Sequence, residues 1–261
     1  MEITLLRHAT LLLRIGPARL LADPMLSAAG AMDPVRPAVD ERRCPLVELP
    51  VDDAALGRTL AELDGVLVSH THRDHWDARA AEVIPKRLAL LCQPPDAARF
   101  AAAGFENVLP VADRLDWRGV EVTRTGGQHG RGEMAAKMGP VSGFVLRAPG
   151  EPVLYLVGDS VWAPEVEAAL AAHRPDVIVV NAGAAQFLEG GPLTMAAEDV
   201  AQVCRACPQA AVVAVHMEAF NHCNLTRAAL RAALDAAGLA GRVQIPPDGE
   251  TLTFSSSLFA A

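Results

Sequence analysis

The chain of 261 residues carries 23 Lys and Arg against 31 Asp and Glu, a formal net charge of −8, with 51% hydrophobic residues and 8 histidines. That apolar content suffices to bury a large core and excludes a disordered chain. The acidic balance excludes a surface built to coat nucleic acid or an anionic membrane, which needs a basic face. With no internal repeat or convincing linker, residues 1–261 read as one layered α/β domain. The cysteines Cys44, Cys92, Cys204, Cys207 and Cys223 are odd in number and lack a disulfide-framework spacing. Cys204-x-x-Cys207 abuts Pro208 and reads as a buried thiol pair, because the strand that precedes a redox motif is missing. Charges at Glu2, Arg7 and Arg14 break any signal-peptide core, and no apolar run reaches the length of a membrane span, so the reading is a cytoplasmic protein.

In chain order, ITLLRHATLLLRI and RLLADPML predict a β-hairpin turning at Gly16-Pro17. Residues 27–58, rich in Pro, Asp and Arg, predict a long surface excursion, a feature that usually serves a site. Aliphatic runs then follow at 65–69, 88–92, 120–125, 143–148, 152–158, 176–181 and 211–215, and predict strands. Helical spacing predicts helices at 53–63, 76–84, 96–103, 164–173, 195–206 and 226–237, with Thr194 and Thr226 placed as N-caps for the last two.

Four of the aliphatic runs lead into residues with metal-ligand chemistry: His70, His129, Asp159 and His216. Loops at strand ends can aim such side chains at one point. The strongest signal is His70-Thr71-His72-Arg73-Asp74-His75, because imidazole and carboxylate are the donors that borderline cations such as Zn²⁺ take. His129 sits among Gly126, Gly127 and Gly130, which permit unusual backbone, but an ordinary loop histidine is the alternative. Asp159 is open to a second reading as a helix N-cap, and His216 to one as a satisfied core histidine.

HTHRDH resembles the HxHxDH hallmark of the metallo-β-lactamase-fold hydrolases. The resemblance extends through RHAT, LLADP, QHG, GDS and AVHMEAF, from about Ile3 to about Cys223. In style it is similar to the branch with ascorbate-6-phosphate lactonase and the phospholipase D acting on N-acyl-phosphatidylethanolamines. It implies a four-layer αββα sandwich of two mixed β-sheets with helices on both outer faces. It also implies two divalent metal ions, zinc first and manganese as the alternative. His70, His72 and His129 would hold one ion, Asp74, His75 and His216 the second, and Asp159 would bridge them. The implied reaction is hydrolysis by a metal-bridging hydroxide of a small or medium ester, lactone, amide or phosphodiester, with Asp74 orienting the nucleophile. His8 and Asp23 match residues of the family's opening and would act as support, Asp23 behind a ligand.

His222 is a candidate proton donor or substrate contact, and Trp162, Gln186 and Phe187 are candidate substrate contacts. Trp162 stands where the superfamily's acyl-homoserine-lactone lactonases typically carry Tyr, a departure from that group. The expected partner is a small molecule, which an electropositive metal pair would allow to be anionic. The competing reading is an iron-dependent oxidoreductase on the same scaffold; the complete set of hydrolytic positions favours hydrolysis.

Overall fold

The structure is a computed structural model and describes residues 1–259. A tight turn at His8 and Ala9 cuts the opening aliphatic run in two, giving β1 (Glu2–Arg7), β2 (Thr10–Ile15) and then β3 (Ala18–Ala22). The opening is therefore a three-stranded meander and not the expected hairpin. The extra turn is made possible by a left-handed backbone at His8 (φ 61°), a conformation that favours glycine and that hydrophobic patterning does not disclose. The irregular excursion runs from Ser27 to Asp52, where the Asp52 carboxylate accepts the Ala55 N–H and starts α1 (Asp53–Ala61).

The chain continues through β4 (Gly65–Val68), α2 (Ala78–Val83), β5 (Ala89–Cys92), α3 (Ala97–Ala102) and β6 (Asn107–Pro110). Next come β7 (Arg114–Trp117), β8 (Val120–Thr125), α4 (Glu133–Met138), β9 (Gly143–Arg147) and β10 (Leu154–Leu156). The remainder is α5 (Pro164–His173), β11 (Val177–Asn181), α6 (Ala197–Ala206), β12 (Ala211–Val215), α7 (Arg227–Ala236), β13 (Val243–Gln244) and β14 (Thr251–Thr253).

These strands make two mixed sheets of seven, ordered β14-β1-β2-β3-β4-β5-β6 and β13-β12-β11-β10-β9-β8-β7. Parallel pairing joins β3 through β6 in the first and β10 through β13 in the second. The sheets share one apolar interior, in which Leu13, Leu20, Leu67 and Leu91 face Phe144, Leu146, Val179 and Val213. The alternate residues point outward: Val66, Val68 and Leu90 pack under Leu60, Phe100 and Trp76, while Ile178, Val180 and Val212 pack under Val166, Val203 and Leu230. Strands covered on both faces are apolar throughout, which is why GVLV and AVVAV read as unbroken runs. The result is the αββα sandwich. Among the described residues, no helix is long and apolar enough to cross a membrane.

Thr226 caps α7 as expected, but Thr194 does not cap α6. Its hydroxyl accepts the Ala185 N–H, and the α6 cap is Ala196, whose N–H is taken by Asp199. Cys204 is buried and Cys207 half-buried at the end of α6, both unbonded, and burial pushes both thiols up, as expected of an unreactive pair.

Candidate metal centre

Six strand ends deliver polar side chains to one edge of the sandwich. β1 leads into His8, β3 into Asp23, β4 into His70–His75, β8 into His129, β10 into Asp159 and β12 into His216. Asp159 precedes α5 by five residues and is not its N-cap, which is Ala163. All seven expected ligand positions come together. His70, His72 and His129 form one group whose ligand atoms lie within 4.8 Å of one another; Asp74, His75 and His216, with His8, form a second; His70, His75 and Asp159 form a third between them.

The outer ring nitrogens explain how these imidazoles are aimed. Asp23 accepts three hydrogen bonds: from the Ser69 N–H at 2.7 Å, the Ser69 hydroxyl at 2.7 Å and His75 Nδ1 at 2.8 Å. The Ser69 hydroxyl, having given its proton to Asp23, accepts from His70 Nδ1 at 3.0 Å. His129 Nδ1 donates to the Leu193 carbonyl at 3.0 Å, and His216 Nδ1 faces Cys223 Sγ at 3.7 Å. These tautomers, assigned from the hydrogen-bond network, turn the Nε2 atoms of His70, His75 and His129 inward as lone pairs.

Inside the cluster, His70 Nε2 and His72 Nδ1 approach to 2.9 Å and His75 Nε2 and His216 Nε2 to 3.2 Å. The Asp159 carboxylate lies between them: Oδ2 is 3.2 Å from His75 Nε2 and 3.4 Å from His129 Nε2, and Oδ1 is 3.4 Å from His216 Nε2. Asn181 Nδ2 donates to Asp159 Oδ1 at 2.6 Å and fixes that position. Donors around a tetrahedral cation with bonds of about 2.0–2.1 Å stand about 3.3–3.4 Å apart, so this donor set fits transition-metal ions such as zinc. Inward lone pairs facing one another at this distance need a cation or a proton between them.

The electrostatics agree. Burial disfavours the charged form of His75, but Asp159, Asp23 and Asp74 outweigh it and hold its pKa well above the ordinary imidazole value. Burial also opposes ionisation of Asp74 and Asp159, yet the surrounding histidines hold both carboxyls well below the usual range. The cluster is thus short of positive charge, and a metal ion would displace the proton that His75 otherwise takes. His8 Nε2 reaches Asp74 Oδ2 at 3.3 Å, and its ring lies 3.6 Å from that of His216. His8, Asp23 and His216 all carry positive φ (61°, 43° and 68°), backbone strain concentrated at the cluster.

A cleft of about 260 Å³ opens onto His72, Asp74 and His129. Its walls include Phe187 and His222, with Val35 and Arg36 from the excursion. His222 is buried, stacked 6.5 Å from Phe187, with Nδ1 unpartnered; burial above all lowers its pKa to about 4, so it is neutral near pH 7. Phe187 and His222 thus stand together at the cleft. Trp162 does not: it packs half-buried against the apolar layer between the second sheet and its helices, its expected substrate contact replaced by packing. Gln186 is also outside the cleft lining, its backbone N–H donating to the His222 carbonyl.

Two residues with no structural role legible in the sequence anchor the excursion, part of which forms the cleft wall. Asn221 accepts the Val35 N–H at 2.8 Å and donates to the Val35 and Asp40 carbonyls at 2.9 and 2.5 Å. Arg7, fully buried, donates to the carbonyls of Met25, Ser27 and Val47. Their signal was absent because every partner lies far along the chain.

Residues 18–217 match the family model of the beta-lactamase superfamily domain. The chain belongs to this superfamily. It is similar to the UPF0173 protein YddR of Bacillus subtilis (strain 168), 37% identical over 257 residues covering 97% of this chain and 100% of the relative. Among solved structures, a possible metal-dependent hydrolase from Veillonella parvula DSM 2008 aligns with a TM-score of 0.93 at 33% identity, covering 97% of this chain and 99% of that one. An isothiocyanate hydrolase from Delia radicum gut bacteria aligns with a TM-score of 0.92 at 36% identity, covering 98% and 100%. The chain is a metal-dependent hydrolase of the metallo-β-lactamase fold, with a His/Asp cluster that could hold its metals.

Proposed function

We propose that this hydrolase is dinuclear and attacks an electrophilic carbon of a small organic substrate, with isothiocyanates the first class to test. The observation that carries the reading is the convergence of four imidazoles on Asp159, those of His75, His129 and His216 within 3.4 Å and that of His70 at 3.9 Å, with His72 and Asp74 grouped beside them. His70, His72 and His129 would hold one ion, Asp74, His75 and His216 the other, and Asp159 both. Two divalent ions so held, zinc or manganese, supply a nucleophile from water at neutral pH and positive charge for the anion that develops.

The chain's own side chains do the rest. Asp74 Oδ2 is turned to His8 and His216, which fixes the carboxylate and leaves its other oxygen to orient the attacking water by a hydrogen bond. His222, kept neutral by burial, offers a ring N–H to the substrate heteroatom and acts as a hydrogen-bond donor, not a charged acid. Phe187, Val35 and Met138 make the cleft wall partly apolar and exclude bulk water. For an isothiocyanate, water oxygen bonds to the central carbon, the carbon–nitrogen bond breaks, and both water protons end on nitrogen, giving the amine and carbonyl sulfide. The 36% identity to an isothiocyanate hydrolase over the whole chain supports testing this class ahead of esters, lactones, amides and phosphodiesters.

The test measures amine release from phenyl isothiocyanate, beside a panel of p-nitrophenyl esters, lactones and phosphodiesters, with metal content determined on the same samples. Turnover is expected with about two ions per chain, abolished reversibly by chelator and lost by at least about a thousandfold in Asp74→Asn and His72→Ala. Full activity in chelated, metal-free protein contradicts the reading, and one iron per chain with no hydrolysis moves it to redox chemistry.

A further inference from the structure

Arg73 occupies the variable position inside the HTHRDH motif, between His72 and Asp74, and lines the cleft half-buried. Among the described residues, no carboxylate lies within ion-pair reach of its guanidinium. Other half-buried arginines are partnered: Arg227 meets Glu218 and Asp248 at 2.6 and 2.5 Å, and Arg124 and Arg242 donate to the carbonyls of Ala112 and Pro208. Arg36, from the excursion, lines the same cleft and meets only Glu41, at 3.8 Å and largely in solvent. The one acidic residue lining this cleft, Asp74, has its Oδ2 taken up by His8 and His216. On a chain of net charge −8, two arginines lining one small cleft, Arg73 with no carboxylate partner and Arg36 with only a distant one in solvent, form a local reversal of sign.

We propose that the cleft selects substrates whose body carries a carboxylate, held by Arg73 with Arg36 at the mouth, while the electrophilic carbon lies over the His/Asp cluster. This rests on the hydrolase reading above and adds the substrate's second functional group. A planar guanidinium offers paired N–H donors that match a carboxylate, and placement next to the motif sets the distance between anion and reacting carbon. His222 and Phe187 then lie along the substrate between its two ends.

Kinetics with 4-isothiocyanatobenzoate and phenyl isothiocyanate test this on the metal-loaded enzyme. The carboxylate compound is expected to show kcat/KM at least about ten-fold higher, mostly through KM. Arg73→Met should erase that advantage while leaving the neutral compound within about two-fold, and Arg73→Lys should keep part of it. An equal loss on both compounds overturns the proposal by making Arg73 a support of the cluster. A carboxylate preference that survives Arg73→Met overturns it by putting the anion on the metal ions. If the wild type hydrolyses neither compound, the isothiocyanate reading fails separately. Anion selection is then read by calorimetry on zinc-loaded protein with 4-aminobenzoate and 4-aminobenzamide. Carboxylate binding about ten-fold tighter in the wild type but not in Arg73→Met upholds Arg73's role, and equal binding of the two probes overturns it.

Discussion

Replacing Asp23 by Asn tests whether the orientation of the imidazoles is imposed from behind. The substitution keeps shape and still accepts the Ser69 N–H at Oδ1, but sets an amide NH₂ where Oδ2 accepts from the Ser69 hydroxyl and His75 Nδ1. Two charge-assisted bonds at about 1.5–3 kcal/mol each put the gross loss at about 3–6 kcal/mol. The Ser69 hydroxyl can rotate and accept from the new amide, which recovers its share. His75 can avoid a donor–donor clash only by moving its proton to Nε2, where it points at His216 and Asp159 and blocks coordination. The uncompensated part is about 1.5–3 kcal/mol, or about 10- to 150-fold in metal affinity, the range typical of groups that orient ligands from behind. Competition with a chromophoric chelator at neutral pH, on protein checked for folding by circular dichroism, measures it. A variant that binds zinc within about three-fold of the wild type would refute the claim that Asp23 sets the His75 tautomer.

Other consequences can be checked separately. Asn221→Ala removes three hydrogen bonds to Val35 and Asp40, costing about 2–4 kcal/mol locally; trypsin should cut at Arg42 or Arg43 much faster, and unchanged cleavage would mean that Asn221 does not pin the excursion. Gly183→Ala drives a Cβ into the His216 carbonyl oxygen, so the folded fraction should lose at least about ten-fold in metal affinity; wild-type affinity would show that β11 and the His216 loop separate freely. His222 is held by burial at about 4, below the 6.5 of an exposed imidazole, so between these values the unfolded chain binds the extra proton and stability falls as pH drops. In chelator-treated protein, His222→Gln should flatten the stability–pH slope over that window by up to about 1.4 kcal/mol per unit, and identical slopes would rule out a neutral buried His222.

What the sequence disclosed follows a physical divide. HTHRDH is local, four donors within six residues, and the strands beneath it are apolar on both faces, so both stood out. β6 (NVLP) and β7 (RLDW) lie at sheet edges with exposed residues interspersed, and α4 (EMAAKM) buries no side chain; β6 and α4 show no periodicity, and the alternation of β7 spans only four residues. Asn221 and Arg7 are defined by partners up to 186 and 40 residues away and carry no local mark. Trp162 misled because a position three residues after Asp159 says nothing about which side of the sheet the chain then takes; here it turns toward α5 and the outer layer.

His8 gives the turn between β1 and β2 a longer reach than its two residues suggest. Its carbonyl accepts the His216 N–H at 2.9 Å and its ring supports Asp74, so residues 8, 74 and 216 meet at one point. The donors divide between the sheets: His70, His72, Asp74 and His75 follow β4 of the first, while His129, Asp159 and His216 follow β8, β10 and β12 of the second. Ions bound here would therefore clasp the two halves of the sandwich across their open edge. Because such a site exists only when the halves are docked, metal supply would act as a thermodynamic check on completed folding, adding RT ln(1 + [metal]/Kd) to stability. A chain damaged in either half would forfeit the clasp along with the catalyst.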